Sequence, residues 1–216
     1  IGITLMLSSL GAVFLTGEFP IQVVLHRITG GLNNFTLLAI PFFILAGNIM
    51  NRCGITDRIF NFAEEIVGYI PGGIAHSNVV ASIIFSGMSG AAVADAGGLG
   101  LIEMKAMKDR GYPADFSGAV TAASSTIGPI IPPSIPMVVY AVAANASLGK
   151  LFIGGIIPGV IMGLALMVII FLKAKKEDYG TIDFNLKRLL LSFKDALLPL
   201  LTPIIIVGGI LIGIFT

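Results

Sequence analysis

Two stretches of small and hydroxyl-bearing residues interrupt otherwise apolar sequence. The first runs from Phe85 to Gly100 and carries two serines and one acid, Asp95. The second runs from Ser124 to Pro136 and holds four prolines within eight residues. Hydroxyl oxygens, and backbone carbonyls freed from helical hydrogen bonds, can bind a carboxylate or coordinate a hard cation such as Na⁺. We therefore predict that these two stretches together form a binding site.

The candidate residues fall into two groups by the atoms that they offer. Oxygen donors for Na⁺ are predicted at Ser89, Gly90, Asp95, Gly128, Pro129, Pro132 and Ser134. Substrate contacts are predicted at Ser86, Gly87, Met88, Ser124, Ser125 and Thr126. Asp95 is the sole acid of its apolar span, and a carboxylate inside a membrane is a functional candidate by default. It can alternatively cap the helix that follows the turn.

The first stretch needs an element that brings it to mid-membrane. Ile74 to Ile102 is apolar apart from Asp95 and contains 29 residues, roughly 43 Å as one helix. This length exceeds a hydrocarbon core of about 30 Å but does not allow two crossings and a turn. With chain reversal at Ser86 to Gly90, the segment predicts a re-entrant hairpin. The alternative is one tilted helix whose small residues allow close packing.

The second stretch lies within another segment that is too long for one crossing. Phe116 to Gly149 contains no Asp, Glu, Lys or Arg over 34 residues, roughly 51 Å as a helix. Its clustered prolines remove backbone donors and clash with preceding carbonyls. One proline would fit a simple kink, whereas four predict a transmembrane helix that is broken by an unwound stretch.

Composition defines the class of protein. The chain has 216 residues, of which 56% are hydrophobic and only 12% charged, with a mean hydropathy of +0.97. A soluble domain has about 25% charged residues, so an all-α integral membrane protein is predicted. The single cysteine, Cys53, excludes an internal disulfide, and His26 and His76 are too far apart in sequence to suggest a zinc site. Membrane lipid is an expected partner and nucleic acid is not.

The remaining segments give three regions. Residues 1–73 are predicted to be scaffold-like helices with an amphipathic surface helix, 74–148 a transport-like core, and 149–216 further crossings and a cytoplasmic arm. The core contains the hairpin at 74–104 and the broken helix at 116–148. Other predicted elements are an apolar helix at Ile1–Leu15, a loop or interfacial segment at Thr16–Asn34, crossings at Phe35–Met50, Leu151–Leu172 and Pro199–Thr216, an amphipathic helix at Asn51–Gly73, a charged loop at Glu103–Asp115 and a surface segment at Leu189–Leu198.

Charge placement supports the hairpin. If it enters and leaves on one face, 11 of the 13 Lys and Arg residues share that face, and only Arg27 and Lys150 lie opposite. The positive-inside rule makes the basic face cytoplasmic. A full crossing at the same place would move the later basic residues to the other side and remove this asymmetry.

Enzymatic alternatives are weaker. Gly87-Met-Ser-Gly90 is similar to the nucleophile motif of rhomboid-type intramembrane serine proteases, which is the alternative function. A nucleophilic serine needs a histidine within hydrogen-bond reach, and no histidine follows Ser89. Gly97-Gly-Leu-Gly100 has no preceding strand, so it does not indicate a nucleotide loop. We do not expect an enzyme.

Several motifs together resemble the large membrane (M) subunit of the tripartite ATP-independent periplasmic (TRAP) transporters. They are Ile40-Pro-Phe-Phe-Ile-Leu-Ala-Gly47, Gly54-Ile-Thr, Phe85-Ser-Gly-Met-Ser-Gly90, Ala94-Asp-Ala-Gly97 and Gly128-Pro-Ile-Ile-Pro-Pro-Ser134. The resemblance covers essentially the whole chain. It implies Na⁺-coupled uptake of an organic acid across a bacterial or archaeal cytoplasmic membrane by a multi-pass protein.

The resemblance also implies partners and an architecture. The partners are a small membrane (Q) subunit and a periplasmic solute-binding protein (P), with Na⁺ as coupling ion and no other cofactor. The architecture is an elevator-like fold of two inverted repeats, of which this chain looks like the first, so we expect a fragment of a longer protein. The sequence from Phe85 to Met107 is most similar to the sialic-acid branch of the family, and C4-dicarboxylates are the other choice of solute.

Overall fold

The computed structural model describes residues 2–17, 20–32, 35–177, 179, 181–212 and 214, and within these ranges all regular structure is helical. The predicted all-α class is therefore confirmed. Two compact units are present, Ile1–Leu38 and Ala39–Thr216. The α-helices are α1 Gly2–Thr16, α2 Ile21–Leu32, α3 Ala39–Arg52, α4 Ile55–Val67, α5 Gly73–Ser89, α6 Ala92–Gly97, α7 Leu99–Asp109, α8 Ala114–Ser125, α9 Ile135–Ala143, α10 Leu148–Glu177 and α11 Leu186–Ile212.

The first unit contains α1, α2 and one turn of 3-10 helix at Phe35–Leu38. The predicted apolar helix at the start is present as α1. The segment predicted as a loop or interfacial stretch instead contains α2, and its Glu18 lies outside the described residues. Gly30 and Gly31 lower the helix propensity of this segment, which explains why the sequence pattern alone did not indicate a helix.

The amphipathic helix predicted at Asn51–Gly73 is present as α4. It begins after Gly54, whose positive φ of 68° turns the chain, and its axis is bent by 74° from the helix before it. Ile59 and Phe60 are buried, whereas Asp57 and Arg58 are exposed. This division of apolar and charged residues is typical of a helix at a membrane surface.

The predicted hairpin is present, with α5 as its first arm and α6 and α7 as its second. Gly90 has a positive φ of 60° and ends α5, and Ala91 is extended. Asn78 near the start of α5 contacts Met107 near the end of α7, with 3.8 Å between Nδ2 and Sδ, so the arms are antiparallel. The chain reverses at Gly90 and Ala91, at the end of the predicted region, because α5 stays helical through Ser89.

The predicted break in the second long segment is also present. Helix α8 ends at Ser125 and α9 begins at Ile135, and residues 126–133 between them form turns and bends. The Ser134 hydroxyl accepts a hydrogen bond from the Met137 N–H at 3.2 Å and so caps α9. The proline cluster thus separates two short helices, as predicted.

Long helices complete the second unit. By length and composition, Leu148–Glu177 and Leu186–Ile210 are the described helices able to cross a membrane, with the bent pair Thr36–Arg52 and Ile55–Val67 as a possible third span. The surface segment predicted at Leu189–Leu198 is wrong, because it continues into the last crossing as one helix, α11. Proline is tolerated inside apolar membrane helices when neighbouring groups satisfy the freed backbone.

Helix α5 is the central element of the second unit. It packs against α3, α4, α6, α7, α8, α10 and α11, and most of its residues are buried. Phe85 and Met88 are fully buried in the hydrophobic core, whereas α10 exposes large apolar side chains such as Val168 and Ile169. A long helix with apolar residues facing outward is typical of contact with lipid.

Candidate functional site

The hairpin tip and the helix break meet directly. The Ile135 N–H, at the start of α9, donates a hydrogen bond to the Gly90 carbonyl at 3.1 Å. A side chain on Gly90 would overlap the Pro133 carbonyl oxygen, and one on Gly128 would lie 3.4 Å from the backbone of Ala91. The two stretches that were predicted to act together are therefore in contact through their backbones.

Ser89, a predicted cation ligand, directly precedes Gly90 at this junction. Its side chain is 2% exposed, and its Oγ has no hydrogen-bond partner among the described residues. A Cβ on Gly47 of α3 would lie 3.7 Å from Ser89, so α3 packs closely against the tip. A buried hydroxyl without a partner costs free energy unless a ligand or water satisfies it.

A cavity of about 440 Å³ opens beside Ser89. It lies between α3, the hairpin tip, α6 and the start of α9. Its polar side chains are Asn48, Asn51 and Ser89, and the rest of its lining is apolar or small: Phe43, Ile44, Gly47, Ala91, Val93, Ala94, Gly97, Gly98 and Ile135. The sequence reading did not include Asn48 and Asn51, although two amides on successive turns of an apolar helix were a usable signal.

The break contributes backbone rather than free hydroxyls. The Ser134 hydroxyl donates to the Pro129 carbonyl at 2.5 Å, and the Gly128 N–H donates to the Ser125 carbonyl at 3.2 Å. Pro132 has no N–H to donate, so the chain cannot continue as a regular helix there. The predicted residues of the break thus hold one another in a compact turn beside the tip.

The predicted substrate residues on α5 do not share one surface. The Ser86 hydroxyl donates to the Ser82 carbonyl of its own helix at 2.5 Å. Gly87 borders a different, apolar groove of about 440 Å³, where a Cβ would lie 2.7 Å from Pro203 Cγ of α11. Met88 is fully buried in the core.

The predicted hydroxyls of α8 are also engaged by protein groups. Ser124 donates to Asn78 Oδ1 at 2.6 Å and Ser125 donates to the Thr121 carbonyl at 2.8 Å. Thr126 donates to the Ala123 carbonyl at 2.6 Å and is exposed. Asn78 Nδ2 also donates to Thr121 Oγ1 at 2.7 Å, so a buried polar network connects the first hairpin arm with α8.

Asp95 faces the interior of the hairpin. It lies within α6, whose N-cap is Ala91, so it does not cap the second arm. Its side chain is fully buried and lies beside the hydroxyls of Ser82 and Ser125. No hydrogen bond to either carboxylate oxygen is formed within the part of the chain that the structure describes.

Glu103 is a second buried acid that the sequence reading placed in a charged loop. It lies inside α7, is fully buried, and is close enough to Asp95 for the two charges to interact. The loop prediction at Glu103–Asp115 is wrong for this residue because α7 continues to Asp109. Leu99, Glu103 and Met107 are all buried at a spacing of four, and that periodicity was the signal for a buried face.

Two classes of chemistry find no support in this geometry. Within the described residues, no group of three His, Cys, Asp or Glu side chains is arranged to hold a metal ion. Ser89 and His76 lie on the same helix, 13 residues and thus about 20 Å apart along its axis. They cannot form the serine–histidine pair that a rhomboid-type protease requires.

Comparison with known proteins gives consistent matches. The family model "Tripartite ATP-independent periplasmic transporter, DctM component" matches residues 1–216. The sialic acid TRAP transporter large permease protein SiaM of Vibrio cholerae is 50% identical over 217 residues, which cover 100% of this chain and 51% of the relative. The sialic acid TRAP transporter permease protein SiaT of Haemophilus influenzae is 48% identical, again over the whole chain but over 35% of the relative.

A third relative carries a different solute name. The C4-dicarboxylate TRAP transporter large permease protein DctM of Pseudomonas aeruginosa is 42% identical over 184 residues, which cover 85% of this chain and 43% of the relative. The chain thus spans about half, or less, of the length of these three relatives.

Proposed function

Because the chain belongs to the DctM-component family of tripartite ATP-independent periplasmic transporters, we propose that it provides part of the membrane pathway for Na⁺-coupled uptake of an organic acid. The observation that carries this proposal is the junction of the hairpin tip with the helix break, beside the cavity at Ser89. Irregular backbone at membrane depth is tolerated where it lines a cavity, and transporters place their coupling ions at such junctions.

The residues at the junction fit a sodium ion. Na⁺ is a hard cation that binds oxygen ligands, and Ser89 offers a buried hydroxyl oxygen without a partner among the described residues. Carbonyl groups of the break, from Gly128 to Ser134, lie beside the tip. We expect Ser89 and this turn to hold the ion jointly, which would place a positive charge beside the cavity and attract a carboxylate.

The solute is proposed from the relatives and the cavity together. A volume of about 440 Å³ lies in the usual range of small-molecule sites, roughly 300–1,000 Å³. Two relatives named for sialic acid are 50% and 48% identical to this chain, whereas the one named for C4-dicarboxylates is 42% identical. We propose sialic acid as the solute, with C4-dicarboxylates as the alternative.

Partners and location follow from the family. We propose that the chain works in the cytoplasmic membrane of a bacterium with a small Q subunit and a periplasmic solute-binding protein. One relative at 41% identity is named as an isethionate permease protein DctMQ, from Oleidesulfovibrio alaskensis. The exposed apolar side chains of α10 are suited to contact lipid.

Uptake measured against sodium concentration tests this function. The complete permease, with its Q subunit and solute-binding protein, is placed in liposomes and supplied with labelled sialic acid. We expect Ser89→Ala to raise the half-saturating sodium concentration, because loss of one buried oxygen ligand costs about 1–3 kcal/mol, or roughly 5- to 150-fold. Ser77→Ala is the matched control, since this buried hydroxyl of α5 donates to the Gly73 carbonyl of its own helix at 2.9 Å.

Two results would contradict the proposal. Uptake by the parent permease that needs no sodium would remove the cation from the mechanism. An unchanged half-saturating sodium concentration in Ser89→Ala, combined with a weaker response to the solute, would assign the Ser89 hydroxyl to the solute instead.

A further inference from the structure

Helix α3 presents two amide side chains to the cavity beside the hairpin tip. Asn48 and Asn51 are one turn apart, and both line the cavity together with Ile44 and Gly47 of the same helix. They interrupt a helix that is otherwise almost entirely apolar up to Arg52. Asn48 is exposed and Asn51 is half-buried. A buried amide atom is unfavourable unless it is hydrogen-bonded, so Asn51 in particular calls for an explanation beyond packing.

The Asn51 amide is held against the second arm of the hairpin. A Cβ on Gly98 would lie 2.6 Å from Asn51 Nδ2 and 3.0 Å from Asn51 Oδ1, so this glycine leaves room for the amide. Oδ1 is buried and has no hydrogen-bond partner among the described residues. The structure thus contains a positioned acceptor at the cavity wall that no group in the described part of the chain uses.

The hairpin tip and α6 contribute small, uncharged residues to the cavity wall. Ala91, Ala94 and Gly97 line it, and a Cβ on Gly97 would meet nothing within 4 Å. None of the described side chains that line the cavity is ionisable. The space beside Asn48 and Asn51 therefore suits a neutral polar group, and a carboxylate would find no charged side chain there.

Carboxamides recognise groups that both donate and accept hydrogen bonds. Each Asn offers two N–H donors and a carbonyl oxygen, which match the hydroxyl and acetamido groups of a sugar acid. We propose that Asn48 and Asn51 bind the neutral polar part of the transported acid and so favour polyhydroxylated acids over simple dicarboxylates. This inference rests on the proposed function and adds two specificity-determining residues to its site.

The discrimination has a physical basis. A site that is built to hydrogen-bond a hydroxyl rejects an analogue without it, because the buried polar groups of the site are then left unpaired. Removing one amide lowers affinity for the hydroxylated acid but takes no hydrogen bond away from the dicarboxylate, whose affinity should hardly change. Loss of Asn48 or Asn51 therefore changes the ratio of the two affinities, whereas a general loosening of α3 changes both in the same direction.

The experiment measures binding and uptake for two probes. The complete permease is purified, and binding of N-acetylneuraminate and of succinate is followed by titration calorimetry. Uptake and its sodium dependence are measured in liposomes. The variants are Asn48→Ala, Asn51→Ala and the rescue variant Asn48→Gln, with Asn61→Ala on the exposed face of α4 as the matched control. Melting temperatures show which variants fold, and Asn48→Ala alone decides the matter if Asn51→Ala does not fold.

We expect each alanine variant to weaken N-acetylneuraminate binding by about 5- to 100-fold. Succinate binding and the half-saturating sodium concentration should stay within about twofold of the parent, and Asn48→Gln should recover part of the loss. Equal losses for both acids, no loss for N-acetylneuraminate, or a shift only in sodium dependence would each overturn the inference. If the parent binds N-acetylneuraminate without sodium, the proposed sodium coupling is contradicted, but the role of Asn48 and Asn51 can still be measured. If the parent binds neither acid, both the proposed function and this inference are overturned.

Discussion

Replacing Asn78 by alanine should weaken the packing of the first arm of the hairpin against α8. Asn78 is fully buried, and its amide makes two short hydrogen bonds across the interface, to Thr121 Oγ1 at 2.7 Å and from Ser124 Oγ at 2.6 Å. Alanine removes both. The Ser124 hydroxyl keeps a second acceptor, the Thr121 carbonyl at 3.0 Å, whereas the Thr121 hydroxyl loses the amide that donates to it.

These contacts set the size of the effect. Each buried neutral hydrogen bond contributes about 1 kcal/mol net, and the space left by the side chain adds about 1–2 kcal/mol. We therefore expect Asn78→Ala to lower the free energy of unfolding by about 2–4 kcal/mol. Asn78→Leu keeps most of the volume, so its cost should be nearer 2 kcal/mol, the hydrogen-bonding part alone.

Unfolding in mixed detergent micelles, followed by circular dichroism, measures these differences. Asn61→Ala, on the exposed face of α4, is the matched control and should stay within about 0.5 kcal/mol of the parent. A double-mutant cycle with Thr121→Val should give a coupling of about 1 kcal/mol between the two side chains. A destabilisation below about 0.5 kcal/mol in Asn78→Ala, or a coupling of zero, would show that the amide network does not hold the hairpin to α8.

Two further predictions concern the tip and the charged end of the hairpin. Gly90→Ala should destabilise the protein by about 1–3 kcal/mol, because Gly90 has a positive φ and no room for a side chain. The control is Gly97→Ala, whose added Cβ meets open space. In the same unfolding assay its free energy of unfolding should stay within about 1 kcal/mol of the parent. Burial raises the pKa of Tyr112 from 10.0 to about 12, so the unfolded chain loses this proton first and stability should fall as pH rises from 10 to 12. The free energy of unfolding should fall less steeply with pH over this range in Tyr112→Phe than in the parent. An equally steep fall in both proteins would show that Tyr112 does not cause the loss of stability.

The hairpin and the helix break could be predicted because the lengths of their segments conflict with the thickness of the membrane. A segment of 29 residues and another of 34 fit neither one crossing nor two, and four prolines specify where the second must break. These are local properties of the chain. The sidedness of the basic residues and the division at 73 and 148 stay predictions, since no feature of the described residues tests them.

The site itself was less predictable, because the sequence does not show which serine hydroxyls are already hydrogen-bonded within their own helix and so are less available to a ligand. Ser86 and Ser125 look like ligands in the sequence, yet each donates to a carbonyl of its own helix. Ser89, of the same residue type, has no such partner. Only the packing of α3 against the tip shows that Asn51 faces the cavity, and only the register of α7 shows that Glu103 is buried. These differences depend on contacts between distant parts of the chain.

The hydrogen bond between Ile135 and Gly90 bears on how such a permease can evolve. Both of its atoms belong to the backbone, so among substitutions at position 135 only proline would delete the donor. Residues that line the cavity can therefore change while the junction of hairpin and broken helix persists. Relatives at 41–50% identity are named for solutes as different as sialic acid, isethionate and C4-dicarboxylates. Under the proposed function, substitutions in the cavity lining can change the preferred solute while this backbone contact between hairpin and broken helix is kept.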